Sequence, residues 1–250
     1  MSRQSGFTER IDNSSRNKNS RIILALDLLP NPDLKEVVKS LIVLLHRHIC
    51  GIKINFHLIL PLSLLDLSEI NRLAHNYGLQ SIADIKLTDI ASTNGVALSY
   101  LFKMEFDAVI VNPLMGQSAL DSAVKQAHLM GRGILALIYM SHCDAGKTFG
   151  IKVIQKSKAG DSFAVSLYEN LLRSAYRCHV DGIIVGATQS KILNQIFKKK
   201  KTPIYSPGLG VQGGDFKKAA KNGTDYFIVG RSIILEKDPL NAIKRLRTQI

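Results

Sequence analysis

The chain has no tryptophan, only three cysteines, and aromatic residues at just 6% of its 250 positions. Cys50, Cys143 and Cys178 are far apart, odd in number and form no CxxC pair. That excludes a disulfide framework and the common structural zinc patterns; the reduced thiols of a cytoplasmic protein are expected instead. No run of about 18 apolar residues occurs, so no membrane span is expected. Residues 1–20 contain no apolar core of a secretory signal. Glycine and proline, 18 and 7 residues, are too few for a collagen-like or low-complexity chain. Acids are scarce as well: 20 Asp and Glu against 33 Lys and Arg leave a net charge of +13. Such a balance favours an anionic partner (a phosphorylated metabolite, nucleic acid or an anionic membrane) without choosing among them.

What is present is a 46% hydrophobic body with a regular rhythm. Residues 1–20, rich in Ser, Asn and Arg, read as a flexible polar tail. From Arg21 onward, short apolar runs alternate with stretches of helical spacing. Strands are expected at 22–27, 52–55, 81–86, 107–112, 133–140, 181–185, 203–206 and 226–229. Helices are expected near 34–45, 67–77, 92–104, 118–130, 163–178, 189–197, 215–222 and 240–247, with a long lysine-rich loop at 143–161. Several strands are apolar throughout, as parallel strands covered on both faces should be. Eight such units in one composition regime point to a single (β/α)8 TIM barrel domain over 21–250, with a doubly wound sheet as the alternative. The run KKKK at 198–201 reads as a solvated helix end rather than a nucleic-acid site.

In such a barrel, functional side chains gather where strands end and the following loops begin. The polar residues there are Asp27, Lys53, Asp84 with Lys86 and Asp89, Asn112, Ser141 with His142, Gln212, and Arg231 after Gly230. In ADIKLTDI (83–90), Asp84 and Lys86 are two apart and share a face on a regular strand. Ile82 and Ala83 mark that strand as buried, and buried charges have to be paired. Lys53 either snorkels to solvent or completes an alternating Lys-Asp-Lys-Asp array with Asp84, Lys86 and Asp89. SPGLGVQGGD (206–215) contains a formal GxGxxG, yet it follows the seventh strand rather than the first. It therefore reads as a loop whose backbone approaches a ligand closely, not as a dinucleotide fingerprint. IVGRSI (228–233) follows the eighth strand, and a glycine followed by an arginine suits a phosphate. Barrels commonly build a phosphate site from these last two loops. His46, His48 and Cys50 read as a helix end and loop rather than metal ligands, and Ser141-His142 lacks the GxSxG elbow of a hydrolase.

ADIKLTDI resembles the DxKxxDI motif of the orotidine 5′-monophosphate decarboxylases. LALD (24–27), IKIN (52–55), MSH (140–142), SPGLGVQGGD and VGRSI (229–233) stand in the order that family requires, over roughly residues 21–245. The DxKxxD core alone is shared with sugar-phosphate relatives; the full set is more specific. The resemblance implies an archaeal-like single-domain barrel that dimerises and converts orotidine 5′-monophosphate to uridine 5′-monophosphate and carbon dioxide, with no cofactor and no metal. It implies Lys86 as the acid that protonates C6, Asp84 beside the substrate carboxylate, and Lys53 and Asp89 completing the array. Asp89 would come from the other subunit, as would Ile90 and Thr93, with Thr93 directed towards the ribose. Asp27 would hold ribose hydroxyls, Ser141 and Gln212 would touch the base, with Gln212 also closing over the phosphate, and Gly230 and Arg231 would bind the phosphate. The sequence departs from many relatives at Asn112-Pro113, where they have His-Gly, and in the long 143–161 loop.

Three rival readings remain at this stage. A sugar-phosphate decarboxylase or aldolase of the same superfamily requires a divalent metal and an acidic ligand at the end of the second strand, where this chain has Lys53. A basic nucleic-acid-binding protein on an inactive barrel leaves the charged array without a purpose. Dinucleotide-dependent oxidoreduction rests on the glycine loop alone.

Overall fold

The computed structural model describes residues 6–156 and 160–249. Eight parallel strands close into a barrel: β1 (Ile22–Ala25), β2 (Gly51–Asn55), β3 (Gln80–Leu87), β4 (Ala108–Val111), β5 (Gly133–Tyr139), β8 (Gly182–Val185), β9 (Ile204–Ser206) and β10 (Tyr226–Val229), with β10 returning to β1. Runs such as Ile22–Ala25, Ala108–Val111 and Gly182–Val185 are buried at every position. One face fills the barrel and the other meets the helices, which is why these strands lack polar alternation. The helical layer is α2 (Leu34–Leu45), α4 (Leu64–Asn76), α5 (Ala91–Lys103), α6 (Gln117–Leu129), α8 (Leu167–Arg177), α9 (Ser190–Phe197), α10 (Phe216–Lys221) and α12 (Pro239–Arg247). Short helices α3 (Phe56–Ile59), α7 (Ala145–Phe149) and α11 (Arg231–Ile234) sit at strand ends. α4 begins earlier than its apolar spacing indicates, because Ser63 and Asp66 cap it reciprocally: the Asp66 N–H donates to Ser63 Oγ (3.1 Å) and the Ser63 N–H to Asp66 Oδ2 (3.1 Å). The KKKK run ends α9, where Lys200 pairs with Asp225 at 2.6 Å.

Two expectations are corrected. Residues 1–20 are not simply a flexible tail, since Phe7–Lys18 form helix α1. Phe7 and Ile11, one helical turn apart, are fully buried against the N-terminal ends of the strands. A Cβ on Gly133, the first residue of β5, would lie 2.6 Å from the Phe7 ring, so this glycine makes room for the plug. Arg10 anchors the same face, donating to Asp107 Oδ1 (3.1 Å), Gln80 Oε1 (2.9 Å) and the Gly131 carbonyl (2.8 Å). Each of these buried apolar side chains contributes about 1.5–3 kcal/mol towards holding the helix there.

The second correction concerns the 143–161 loop. After α7 the chain forms an antiparallel hairpin of β6 (Lys152–Lys156) and β7 (Ser162–Ser166), with Lys152 opposite Ser166 and Lys156 opposite Ser162. The following helix therefore starts at Leu167 rather than 163, where Ser166 and Glu169 form a capping box. Residues 157–159 of that loop lie outside the described residues.

Candidate active site

A cavity opens at the C-terminal mouth of the barrel, where the strands deliver their last side chains. Asp27 follows β1, Lys53 and Asn55 end β2, Asp84 and Lys86 lie on β3, and Ser141 follows β5. Gln212 comes from the loop after β9, and Gly230 and Arg231 follow β10; all line the same cavity. Its floor is apolar, made by Ile110, Leu137, Ile184 and Ile228 from the barrel interior.

The charges form a chain. Lys53 Nζ lies 2.8 Å from Asp84 Oδ2, and Lys86 Nζ lies 2.7 Å from Asp84 Oδ1. Lys53 is nearly sealed, its side chain 5% exposed, whereas the side chain of Lys86 is 41% exposed and faces the opening. Burial alone would push the Asp84 carboxyl up. The two flanking ammonium groups more than offset this and hold it below its ordinary value. Asp84 is thus an anion locked between two cations in a water-poor pocket.

Lys86 does not reach this place by regular strand alternation. The pairing of β3 with β4 slips between Asp84, opposite Ile110, and Leu87, opposite Val111. Lys86 itself sits at φ +49°, the left-handed region. A lysine is held there at a backbone cost of the order of 1–2 kcal/mol. The slip turns its side chain back onto Asp84.

The two last loops are built on glycines where nothing else fits. Gly208 has φ +90°, and a Cβ there would lie 2.6 Å from Ser141 Cβ. Gly210 has φ +71°, and a Cβ there would lie 2.1 Å from Ser232 Oγ. Ser232 ties the loops together, accepting from the Val211 N–H (3.1 Å) and donating to the Leu209 carbonyl (3.4 Å). Across the mouth, Ser141 Oγ donates to Gln212 Oε1 at 2.9 Å. Arg231 is exposed and forms no ion pair among the described residues, which leaves its guanidinium available to an anion.

Of the residues expected from sequence, Asp27, Lys53, Asp84, Lys86, Ser141, Gln212, Gly230 and Arg231 converge on this cavity. Asp89, Ile90 and Thr93 do not: they stand exposed at the start of α5, outside it. Asn112 is also outside, capping the turn that follows β4 by accepting from the Leu114 N–H at 3.1 Å. His142 lines the rim. Sequence reasoning passed over Asn55, although its place two residues after Lys53 was the available signal, since the two share a face of β2. Ser232 was missed because a loop-to-loop tie leaves no local pattern. Among the described residues, no group of three or more His, Cys, Asp or Glu side chains is placed to hold a metal ion, and no helix is long and apolar enough to cross a membrane.

Comparison with known proteins agrees with this geometry. The chain is 28% identical over 235 residues to the orotidine 5′-phosphate decarboxylase of Methanosarcina mazei, covering 93% of this chain and 96% of that one. It is 32% identical over 231 residues to the enzyme of that name from Pyrococcus horikoshii, covering 92% and 98%. The crystal structure of the orotidine 5′-phosphate decarboxylase from Pyrococcus horikoshii superimposes with a TM-score of 0.72 at 29% identity, over 92% of this chain and 98% of that one. A family model matches residues 20–246, nearly the whole barrel, and by that match the chain belongs to the orotidine 5′-phosphate decarboxylase / HUMPS family.

Proposed function

We propose that the chain decarboxylates orotidine 5′-monophosphate to uridine 5′-monophosphate and carbon dioxide, in pyrimidine biosynthesis, with its own side chains as the only catalytic groups. The observation that carries this reading is the Lys53–Asp84–Lys86 chain of charges at the cavity, with an unpaired arginine on the opposite loop. Breaking the bond from C6 to the carboxylate leaves an electron pair on a vinylic carbon with no resonance sink. The Lys86 ammonium stabilises that charge as it grows and gives C6 its proton, regaining one from solvent afterwards. Asp84 lies where it opposes the substrate carboxylate but not the departing neutral carbon dioxide. Two like charges about 4 Å apart repel by roughly 4 kcal/mol at an effective dielectric of about 20. Gly230 and Arg231 bind the phosphate, Asp27 takes ribose hydroxyls, and Ser141 and Gln212 exchange their mutual hydrogen bond for contacts with the base. Phosphate binding, remote from the reacting carbon, then aligns the base over Lys86.

In this reading the working unit is a homodimer. Asp89, Ile90 and Thr93 of each copy complete the partner's site. Support comes from α5 and its N-terminal cap, where Ile90, Val96 and Tyr100 are 66%, 59% and 52% exposed. Together with Thr93 they recur at spacings of three or four residues, a stripe along one helical face. The test is turnover of orotidine 5′-monophosphate by the purified protein and by Lys86→Ala. Full activity in the variant would remove the proton-donor assignment. Turnover of a sugar phosphate that depends on a divalent metal would favour the other branch of the family, although Lys53 stands where that branch needs an acid.

A further inference from the structure

We propose that Asn55 is a positioning residue for the sugar end of the site: it sets how Asp27 and Lys53 face the substrate's hydroxyl groups. The proposal rests on the functional reading above. Asn55 is the last residue of β2, paired in register with Asp84 of β3, and it is half-buried at the cavity wall. Its side-chain carbonyl accepts from Lys53 Nζ, and its amide donates to Asp27 Oδ1. The reverse orientation would set the NH2 group against an ammonium and the carbonyl against a carboxylate, so the neighbours fix the amide.

One side chain thereby joins Asp27 to the chain of charges. Of the three protons on Lys53 Nζ, one goes to Asp84 Oδ2 at 2.8 Å and one to Asn55. Asp27 Oδ1 stands 3.8 Å from the same nitrogen, beyond hydrogen-bond length. The neutral amide keeps this loose ion pair from closing to hydrogen-bond contact, which would consume the third ammonium proton and one carboxylate oxygen. On its other side Asp27 is bounded by the chain at Gly230, where a Cβ would lie 2.8 Å from Oδ2. Asp27 is therefore held between Asn55 and the loop that carries Arg231. That is where the sugar of a nucleotide must lie, between a phosphate on the loop and a base over Lys86. The result is a fixed acceptor and a fixed donor side by side, which suits a hydroxyl of the sugar.

The experiment compares wild type, Asn55→Ala and Asn55→Asp with orotidine 5′-monophosphate and its 2′-deoxy and 3′-deoxy analogues. Asn55→Ala should raise KM for the full substrate by about 10–100-fold, the range of a hydrogen bond to a charged group, while kcat changes only a few-fold. The analogue that lacks the hydroxyl meeting Asp27 should hardly notice the change. Asn55→Asp preserves the shape but sets two carboxylates together. It keeps an acceptor for Lys53 but loses the donor to Asp27, so its KM for the full substrate should rise at least as far as that of Asn55→Ala. Parallel losses for all three substrates, a fall in kcat in place of the rise in KM, or wild-type KM in Asn55→Asp would overturn the proposal alone. Wild-type protein that leaves orotidine 5′-monophosphate unchanged would overturn the functional reading and this proposal with it.

Discussion

Lys86 pays a backbone cost for its position, and the site uses what that position provides. Its left-handed φ of +49° aims the ammonium at Asp84 from the open side of the cavity. Lys86→Ala should lower kcat by at least about 10³-fold and leave the melting temperature close to that of wild type, because this side chain is 41% exposed. A variant that keeps its rate would contradict a chemical role. Asp84 supplies a pH prediction. A carboxyl whose folded pKa lies below its unfolded value stabilises the fold fully above the unfolded value, and loses that contribution as the pH falls through the folded one. Burial opposes the shift, yet Lys53 and Lys86 carry Asp84 in that direction. Its contribution should therefore be constant from neutral pH down to about 4 and vanish below. Acid denaturation of wild type and Asp84→Asn, followed by circular dichroism, should diverge above that pH and converge beneath it. The sequence placed Asp84 and Lys86 together through strand alternation. The structure brings them together through a register slip, which depends on pairing with β4 and leaves no local signal.

At the scale of elements, α1 and the β6–β7 hairpin are the parts that were not legible. Only Phe7 and Ile11 mark the buried face of α1, too few for an amphipathic pattern. The acceptors for Arg10 lie on β3 and the loops around β4 and β5, far away in the chain. The hairpin strands are largely exposed, and no run of apolar residues announces them. The barrel strands and their helices were legible because their burial is written as continuous apolar runs and helical spacing. If α1 plugs the base of the barrel, Phe7→Ala should cost about 3–5 kcal/mol in denaturant unfolding. Asp107 ties this plug to the barrel. It accepts from Arg10 (3.1 Å), Arg132 (2.8 Å), His75 (2.7 Å) and the Ser81 N–H (2.8 Å), and its side chain is 3% exposed. Asp107→Asn should cost about 1–3 kcal/mol by removing the buried carboxylate that the partly exposed Arg10 and Arg132 share, with the amides of α1 exchanging fastest in hydrogen-exchange measurements. A variant as stable as wild type would show the cluster to be dispensable.

For the molecule as a whole, strand order follows chain order around the closed barrel, so the last two loops fall beside the first strand. That closure puts Gly230 beside Asp27 and brings Arg231 to the same cavity across most of the chain, and loop order alone made the phosphate end of the site readable. On the proposed reading, the exposed set Asp89, Ile90 and Thr93 serves the partner's site of a dimer. Mixing inactive Lys86→Ala with inactive Asp89→Asn should restore about a quarter of the wild-type activity, because each mixed dimer regains one intact site. No recovery after subunit exchange would place Asp89 in the site of its own subunit rather than its partner's. The net charge of +13 exceeds what one phosphate site requires, and nothing in the cavity accounts for the surplus. The central claim, that this barrel removes carbon dioxide with its own ammonium group, is tested most directly by one spectrum. Orotidine 5′-monophosphate, mixed with the purified protein and excess chelator, is followed by ultraviolet absorbance. Complete conversion to uridine 5′-monophosphate is the predicted result; an unchanged spectrum from folded, dimeric protein would contradict it.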